Sequence, residues 1–131
     1  MCQDGPLLHR LLHVDDDPDI LELTRLALED LGGLELRQLT SGGSVEEVAA
    51  EFGPDLILLD VMMPDMSGEE MIQKLGRSPQ LRSVPVVFMT AKGNQLARER
   101  LLELGACAVI LKPFDPTTLA DQLREIYSEV Q

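Results

Sequence analysis

Residues 56–60 read Leu56-Ile57-Leu58-Leu59-Asp60, a run of four apolar side chains that ends abruptly at a carboxylate. An apolar residue at every position, instead of at every second one, is typical of a central parallel strand that helices cover on both faces. The stretch therefore predicts an α/β fold with this strand near the middle of the sheet. Asp60 would then stand at the carboxyl end of the most buried strand.

Short apolar runs of this kind alternate with longer amphipathic segments about five times along the chain. Such alternation indicates successive βα units around a parallel sheet. The predicted strands cover residues 7–14, 34–39, 56–59, 86–89 and 109–111. We expect the order 2-1-3-4-5, which makes the first and third strands neighbours in a doubly wound, five-stranded (βα)5 sheet.

Capping residues mark where the intervening helices begin and end. An Asp or Ser at the N-cap accepts a hydrogen bond from a free amide, and Pro suits the first turn. The predicted starts are Asp17 before Pro18, Ser44 and Ser67 in capping boxes with Glu47 and Glu70, and Asp115 before Pro116. The predicted ends are Gly32-Gly33, Gly53-Pro54, Leu75 and Gly105.

The balance of charge argues against two classes of partner, nucleic acid and membranes. The chain carries 11 Lys and Arg residues against 23 Asp and Glu residues, a formal net charge of −12 at pH 7. This sign repels phosphate backbones and anionic lipid, so we expect no direct nucleic-acid partner and no membrane partner. The apolar runs are also too short to cross a bilayer, which takes roughly 20 residues.

The length of 131 residues predicts a single domain over 1–131, with a core of about 7–130. Cys2 and Cys107 have neither the density nor the spacing of a disulfide framework or a zinc site. His9 and His13 have no Cys or carboxylate spaced with them, so we expect no metal site or phosphohistidine there. Free thiols and no continuous apolar segment at the N-terminus predict a cytoplasmic protein.

Polar side chains follow four of the predicted strands at the point where each strand ends. They are Asp15 and Asp16, Asp60, Thr90, and Lys112. In an open parallel sheet these ends lie on one edge, where ligands bind at the reversal of strand order. Three carboxylates in a small volume repel one another unless a positive charge joins them. Mg²⁺ prefers oxygen ligands and fits this role, and Lys112 adds one fixed positive charge.

A carboxylate beside Mg²⁺, with a hydroxyl and an ammonium group nearby, is suited to phosphoryl transfer. The carboxylate can act as the nucleophile, while the metal and the lysine neutralise charge on the moving phosphoryl group. Asp60 is the expected acceptor, because it stands alone at the end of the most buried strand. Asp15 and Asp16 are adjacent and better placed to share the metal.

Four segments around these residues resemble the receiver domains of two-component response regulators, of the kind found in chemotaxis regulators. The segments occur in the family's order and spacing and span nearly the whole chain. They are Val14-Asp15-Asp16-Asp17-Pro18, Leu58-Leu59-Asp60-Val61-Met62-Met63-Pro64, Met89-Thr90-Ala91 and Leu111-Lys112-Pro113-Phe114. The resemblance implies a flavodoxin-like fold and a phosphorelay role, with a histidine kinase or histidine phosphotransfer protein as the phosphoryl donor.

The same resemblance implies a role for each polar residue. Asp60 is the phosphorylated aspartate, Thr90 the switch hydroxyl, and Lys112 the phosphate-binding lysine, with a cis peptide bond into Pro113. The implied Mg²⁺ ligands are Asp16 directly, Asp15 through water, Asp60, and the backbone carbonyl of Met62. Such a domain is a phosphorylation-operated switch, and it catalyses only its own phosphotransfer and dephosphorylation.

One position departs from the family's pattern. Receivers often carry Tyr or Phe three residues before the lysine, and here that residue is Val109. A relay from Thr90 to an inward-turning ring cannot operate with valine. We therefore expect the output face near the fourth helix and fifth strand to respond through backbone shifts.

Other interpretations stay open. A phosphatase of the haloacid dehalogenase type also has a nucleophilic Asp after an apolar strand, but it needs a second Asp where this chain has Met62. A degenerate receiver acting only as a scaffold would not need to keep all five polar residues. The chain could also be a complete single-domain regulator, or a receiver fragment of a larger hybrid kinase or multidomain regulator.

Overall fold

The structure is a computed structural model that describes residues 7–61, 66–91 and 95–130. Its strands are β1 (Arg10–Val14), β2 (Glu35–Leu39), β3 (Leu56–Asp60), β4 (Val86–Thr90) and β5 (Ala108–Leu111). They form one parallel sheet in the order β2-β1-β3-β4-β5, which confirms the predicted order. β1 begins later than predicted, because its pairing with β2 starts only at Arg10 and Glu35.

Helices connect the strands. They are α1 (Pro18–Arg25), α2 (Val45–Phe52), α3 (Gly68–Gly76), α4 (Gln95–Glu103) and α5 (Leu119–Glu129). α1 continues as a π-helical segment over Leu26–Leu31, so the helix ends at Gly32, as predicted. Gly33 takes a left-handed φ of 71°, and the Leu34 amide donates to the Leu28 carbonyl at 2.8 Å. Within the described ranges, none of the helices is long and apolar enough to span a membrane.

The sheet separates two buried apolar layers, because successive side chains on a strand point to opposite faces. On β3, Leu56 and Leu58 belong to the layer formed with the π-helical segment and α5. Ile57 and Leu59 belong to the layer formed with α2, α3 and α4. Every residue of β3 is buried. The run of consecutive apolar residues is therefore a strand covered on both faces, as its sequence predicts.

Two predicted helix starts are confirmed by side-chain capping bonds. The Asp17 carboxylate accepts from the Asp19 amide at 2.9 Å, and Pro18 occupies the first position of α1. At α3, the Glu70 amide donates to the Ser67 hydroxyl at 3.1 Å, and the Ser67 amide donates to the Glu70 carboxylate at 3.1 Å. This reciprocal pair is a complete capping box.

At the other two starts, the predicted capping by Ser44 and the predicted start at Asp115 were wrong. Ser44 is the N-cap of α2, but its φ of −113° and ψ of 14° are not extended, and its side chain makes no capping bond. Asp115 caps a turn and not the helix: its carboxylate accepts from the Thr117 amide at 2.9 Å. α5 proper begins at Leu119, whose amide donates to the Asp115 carbonyl at 3.1 Å.

Candidate functional site

The register of the sheet brings two aspartates side by side. Val14 of β1 pairs with Leu59 of β3, so the next residues, Asp15 and Asp60, leave neighbouring strands at the same edge. The Asp15 amide donates to the Leu39 carbonyl of β2 at 3.0 Å, which continues the ladder for one more residue. Both side chains therefore rest on hydrogen-bonded strand backbone.

Three carboxylates meet at this edge. Asp15, Asp16 and Asp60 each offer an oxygen, and these oxygens all lie within 4.8 Å of one another. Asp15 is fully buried, Asp60 is 6% exposed and Asp16 is exposed. Octahedral Mg²⁺ binds oxygen at about 2.1 Å, so ligands on opposite sides are about 4.2 Å apart. The donor type and the spacing of the cluster both fit a hard divalent cation.

Lys112 joins two of these carboxylates. Its Nζ lies 3.0 Å from Asp15 Oδ2 and 3.3 Å from Asp60 Oδ1, although Asp15 is 97 residues away in sequence. Burial alone would lower the pKa of Lys112, but the hydrogen bonds and negative charges of Asp15 and Asp60 outweigh it and raise the pKa. The lysine is therefore a permanent cation. Three carboxylates and one ammonium group leave a formal excess of two negative charges.

The three consecutive aspartates after β1 have different surroundings. Asp15 points into the protein, and its Oδ1 accepts from the Asp17 amide at 3.0 Å. Asp17 caps α1, and Asp16 between them is left exposed beside the cluster. The Asp17 carboxylate thus serves the helix cap, whereas those of Asp15 and Asp16 lie in the cluster with Asp60.

Thr90 ends β4 at the same edge, is buried, and accepts from the Lys112 amide at 2.8 Å through its carbonyl. The peptide bond between Lys112 and Pro113 is cis, as expected. Met62, whose carbonyl we expect to bind the metal, lies outside the described residues. The site residues predicted within the described ranges thus lie together at the carboxyl edge of the sheet.

His13 is the site neighbour that the sequence analysis missed. It is fully buried on β1, and its Nε2 lies 3.8 Å from Asp15 Oδ2, a carboxylate that we did not expect beside it. Burial lowers the pKa of His13 to about 4; the charge of Asp15 opposes this and that of Lys112 adds to it. The imidazole is therefore neutral at pH 7. The sequence carried one indication of this contact: His13 lies two residues before Asp15, and side chains two residues apart on a strand point to the same face.

Val109 is half-buried on β5 and packs against the apolar layer with α2, α3 and α4. It therefore lies on the side of the sheet where α4 contributes Leu101 to the core. Because this residue is valine, no aromatic side chain is present at this position to turn inward toward Thr90.

Comparison with protein families gives a match over residues 11–124 to the response regulator receiver domain. The chain is 33% identical over 121 residues to response regulator Rre1 of Synechocystis sp., covering 92% of this chain and 52% of that protein. It is 36% identical over 116 residues to the phosphate regulon transcriptional regulatory protein PhoB of Pseudomonas aeruginosa, covering 88% of this chain and 50% of that protein. The chain thus spans about half the length of these relatives.

Solved structures agree with this match. A response regulator from Chloroflexus aurantiacus superposes with a TM-score of 0.84 at 30% identity, over 92% of this chain and 98% of that one. The chemotaxis response regulator CheY4 of Vibrio cholerae superposes with a TM-score of 0.82 at 27% identity, over 91% of this chain and 98% of that one. The sheet order and the helices therefore agree with a known flavodoxin-like architecture.

Proposed function

This chain belongs to the receiver domains of response regulators, and on that premise we propose that Asp60 is the residue that accepts the phosphoryl group. The observation that carries the proposal is the position of the Asp60 carboxylate. It is nearly buried at the end of the central strand, beside the carboxylates of Asp15 and Asp16 and 3.3 Å from the ammonium group of Lys112.

Mg²⁺ is the proposed cofactor. Asp15, Asp16 and Asp60 would hold it, together with the carbonyl of Met62 from the segment outside the described residues. The bound ion supplies positive charge that neutralises the oxygens of the transferring phosphoryl group. The excess of two negative charges in the cluster favours a divalent cation over a monovalent one.

In the proposed reaction, an Asp60 oxygen attacks the phosphorus of a phosphohistidine on the donor protein. A P–O bond forms to Asp60 and the P–N bond breaks, so the electron pair returns to the donor's imidazole, which takes up a proton. Lys112 neutralises charge on the phosphoryl oxygens, and the Thr90 hydroxyl donates a hydrogen bond to one of them. The roles of these residues need no group beyond the metal.

The proposed consequence is a change in a binding surface. A phosphoryl group adds negative charge where Lys112 already bridges two carboxylates, so the β4 and β5 ends must rearrange around it. With Val109 in place of a ring, the shift would reach α4 and β5 through the backbone. The proposed donor is a histidine kinase or a histidine phosphotransfer protein of the cytoplasm, and this domain itself would not contact nucleic acid.

The test is incubation of the protein with Mg²⁺ and acetyl phosphate, followed by intact mass. We expect one phosphoryl group on the wild type, none on Asp60→Asn, and none when EDTA removes the metal. Asp121→Asn is the matched control, because Asp121 is an exposed carboxylate on α5. Labelling of Asp60→Asn, or loss of labelling in Asp121→Asn, would refute the assignment of Asp60.

A further inference from the structure

The buried carboxylate of Asp15 has one partner on each oxygen and a third group nearby. Its Oδ1 accepts from the Asp17 amide at 3.0 Å, and its Oδ2 accepts from Lys112 Nζ at 3.0 Å. The third group is His13 Nε2, which lies 3.8 Å from the same Oδ2. This nitrogen is buried and has no hydrogen-bond partner among residues 7–61, 66–91 and 95–130. At 3.8 Å the two atoms face each other without forming a hydrogen bond.

Gln38 determines which ring nitrogen of His13 carries the proton. The side-chain nitrogen of Gln38 donates to the Leu21 carbonyl at 2.7 Å, so the atom there must be the amide nitrogen and not its oxygen. The same nitrogen lies 3.1 Å from His13 Nδ1 and directs its second hydrogen there. Nδ1 is therefore the acceptor, and the proton of the neutral ring is on Nε2. An N–H donor thus faces Asp15 Oδ2 from a fully buried side chain.

Lys112 is shared between two partners, and phosphorylation changes the balance between them. It already lies 3.3 Å from Asp60 Oδ1. This step rests on the proposed function: once Asp60 carries a phosphoryl group, its oxygens attract the ammonium group more strongly than Asp15 does. Asp15 Oδ2 then loses its lysine while it stays fully buried. A buried carboxylate oxygen that loses a charged donor is destabilised, so a second donor that reaches Oδ2 stabilises the phosphorylated state even with Mg²⁺ held at the cluster.

We propose that His13 is a positioning residue that replaces Lys112 at Asp15 Oδ2 when Asp60 is phosphorylated. The imidazole N–H must approach by about 0.9 Å to reach an ordinary hydrogen-bond length, a movement that side-chain rotation can supply. Before phosphorylation Oδ2 is held by the lysine, and afterwards by the histidine. Asp15 therefore keeps one orientation beside the metal in both states.

The direct test observes the imidazole by NMR. The chain has two histidines, so His9→Gln, a change at an exposed residue, leaves His13 as the only one. With ¹⁵N-labelled histidine, we expect the proton on Nε2 in the unmodified protein. Adding Mg²⁺ and beryllofluoride, a mimic of the phosphoryl group, should move the Nε2 proton downfield and slow its exchange with water. A proton on Nδ1, or an Nε2 proton that beryllofluoride leaves unchanged, overturns the proposal.

A second test compares His13→Gln with His13→Leu. The Gln amide nitrogen can occupy the place of Nε2 and donate, whereas Leu has a similar size and no donor. We expect His13→Leu to bind beryllofluoride about tenfold more weakly than His13→Gln, corresponding to about 1.4 kcal/mol. Both variants should bind Mg²⁺ alone with affinities within about twofold of each other, because the lysine holds Asp15 in that state. Equal beryllofluoride affinities would overturn the proposal.

The two proposals fail in different ways. If acetyl phosphate does not label Asp60 in the His9→Gln protein, the proposed function is wrong, and His13 has no event to respond to. If Asp60 is labelled normally while the His13 proton does not respond, only the role of His13 is wrong. The NMR measurement changes no buried residue, so it decides the question even if His13→Leu does not fold.

Discussion

Replacing Lys112 by methionine should strengthen Mg²⁺ binding, although the lysine is part of the proposed phosphorylation site. Lys112 Nζ lies 3.0 and 3.3 Å from oxygens of Asp15 and Asp60. A metal bound to the Asp60 oxygen at about 2.1 Å would stand about 5 Å from Nζ. The lysine and the cation therefore compete for the same negative charge, and removing the lysine removes a repulsion.

The size of the effect follows from these distances. A double and a single positive charge about 5 Å apart repel by about 1.7 kcal/mol even at the dielectric constant of water, which is the smallest estimate for a half-buried pair. This corresponds to roughly 15-fold tighter Mg²⁺ binding. Without metal the same variant should lose about 1–3 kcal/mol of stability, because the buried carboxylates lose their cation.

Isothermal calorimetry gives the Mg²⁺ affinity, and thermal unfolding with and without Mg²⁺ gives the stability. Lys74→Met is the matched control, because Lys74 pairs with Glu46 on α2 at 3.6 Å, away from the cluster. We expect Lys112→Met to bind Mg²⁺ more tightly, to gain more stability from it than the wild type, and to accept less phosphoryl group from acetyl phosphate. Unchanged or weaker Mg²⁺ binding would refute the placement of Lys112 beside the metal.

Two further predictions concern stability. Because burial lowers the pKa of His13 to about 4, the unfolded chain, with a value near 6.5, binds the proton first on acidification. In the metal-free protein, the neutral His13 should therefore contribute its full stabilisation above pH 6.5. As the pH falls toward 4, the free energy of unfolding should drop by up to about 3 kcal/mol. Urea unfolding should find this drop in the wild type and not in His13→Gln. Ser67→Ala should lower the stability by about 1 kcal/mol, because it removes a complete capping box. Ser44→Ala should lower it much less, because the Ser44 side chain makes no capping bond. Equal losses of stability in thermal unfolding would contradict these two cap geometries.

The sequence predicted those features that depend on neighbouring residues. The run of apolar residues in β3 was sufficient to identify a strand buried on both faces, and Ser67 and Glu70 were sufficient to predict a cap. The same reasoning was wrong at Ser44, because a hydroxyl caps only where the backbone aims it at a free amide, and residue type does not fix that angle. At Asp115, the carboxylate found an amide in a turn before the helix.

The surroundings of His13 could not be predicted in this way. Gln38 is 25 residues from His13 in sequence, and Lys112 is 97 residues from Asp15, so their meeting depends on strand register and helix placement. Lys112 directly follows a strand, and that position predicts that it joins the site. His13 lies inside a strand, and only its spacing of two residues from Asp15, on the same face, indicates that it could contact the site.

The sheet divides the core into two layers, and this division affects which substitutions in the domain influence one another. Residues of one layer touch α2, α3 and α4, whereas the contacts that orient His13 through Gln38 and Leu21 lie on the side of α1. Substitutions that remodel the face around α4 and Val109 therefore need not alter the packing behind the carboxylates, and distant changes of this kind combine nearly additively. The surface around α4 and the packing behind Asp15 can therefore vary in sequence independently of each other.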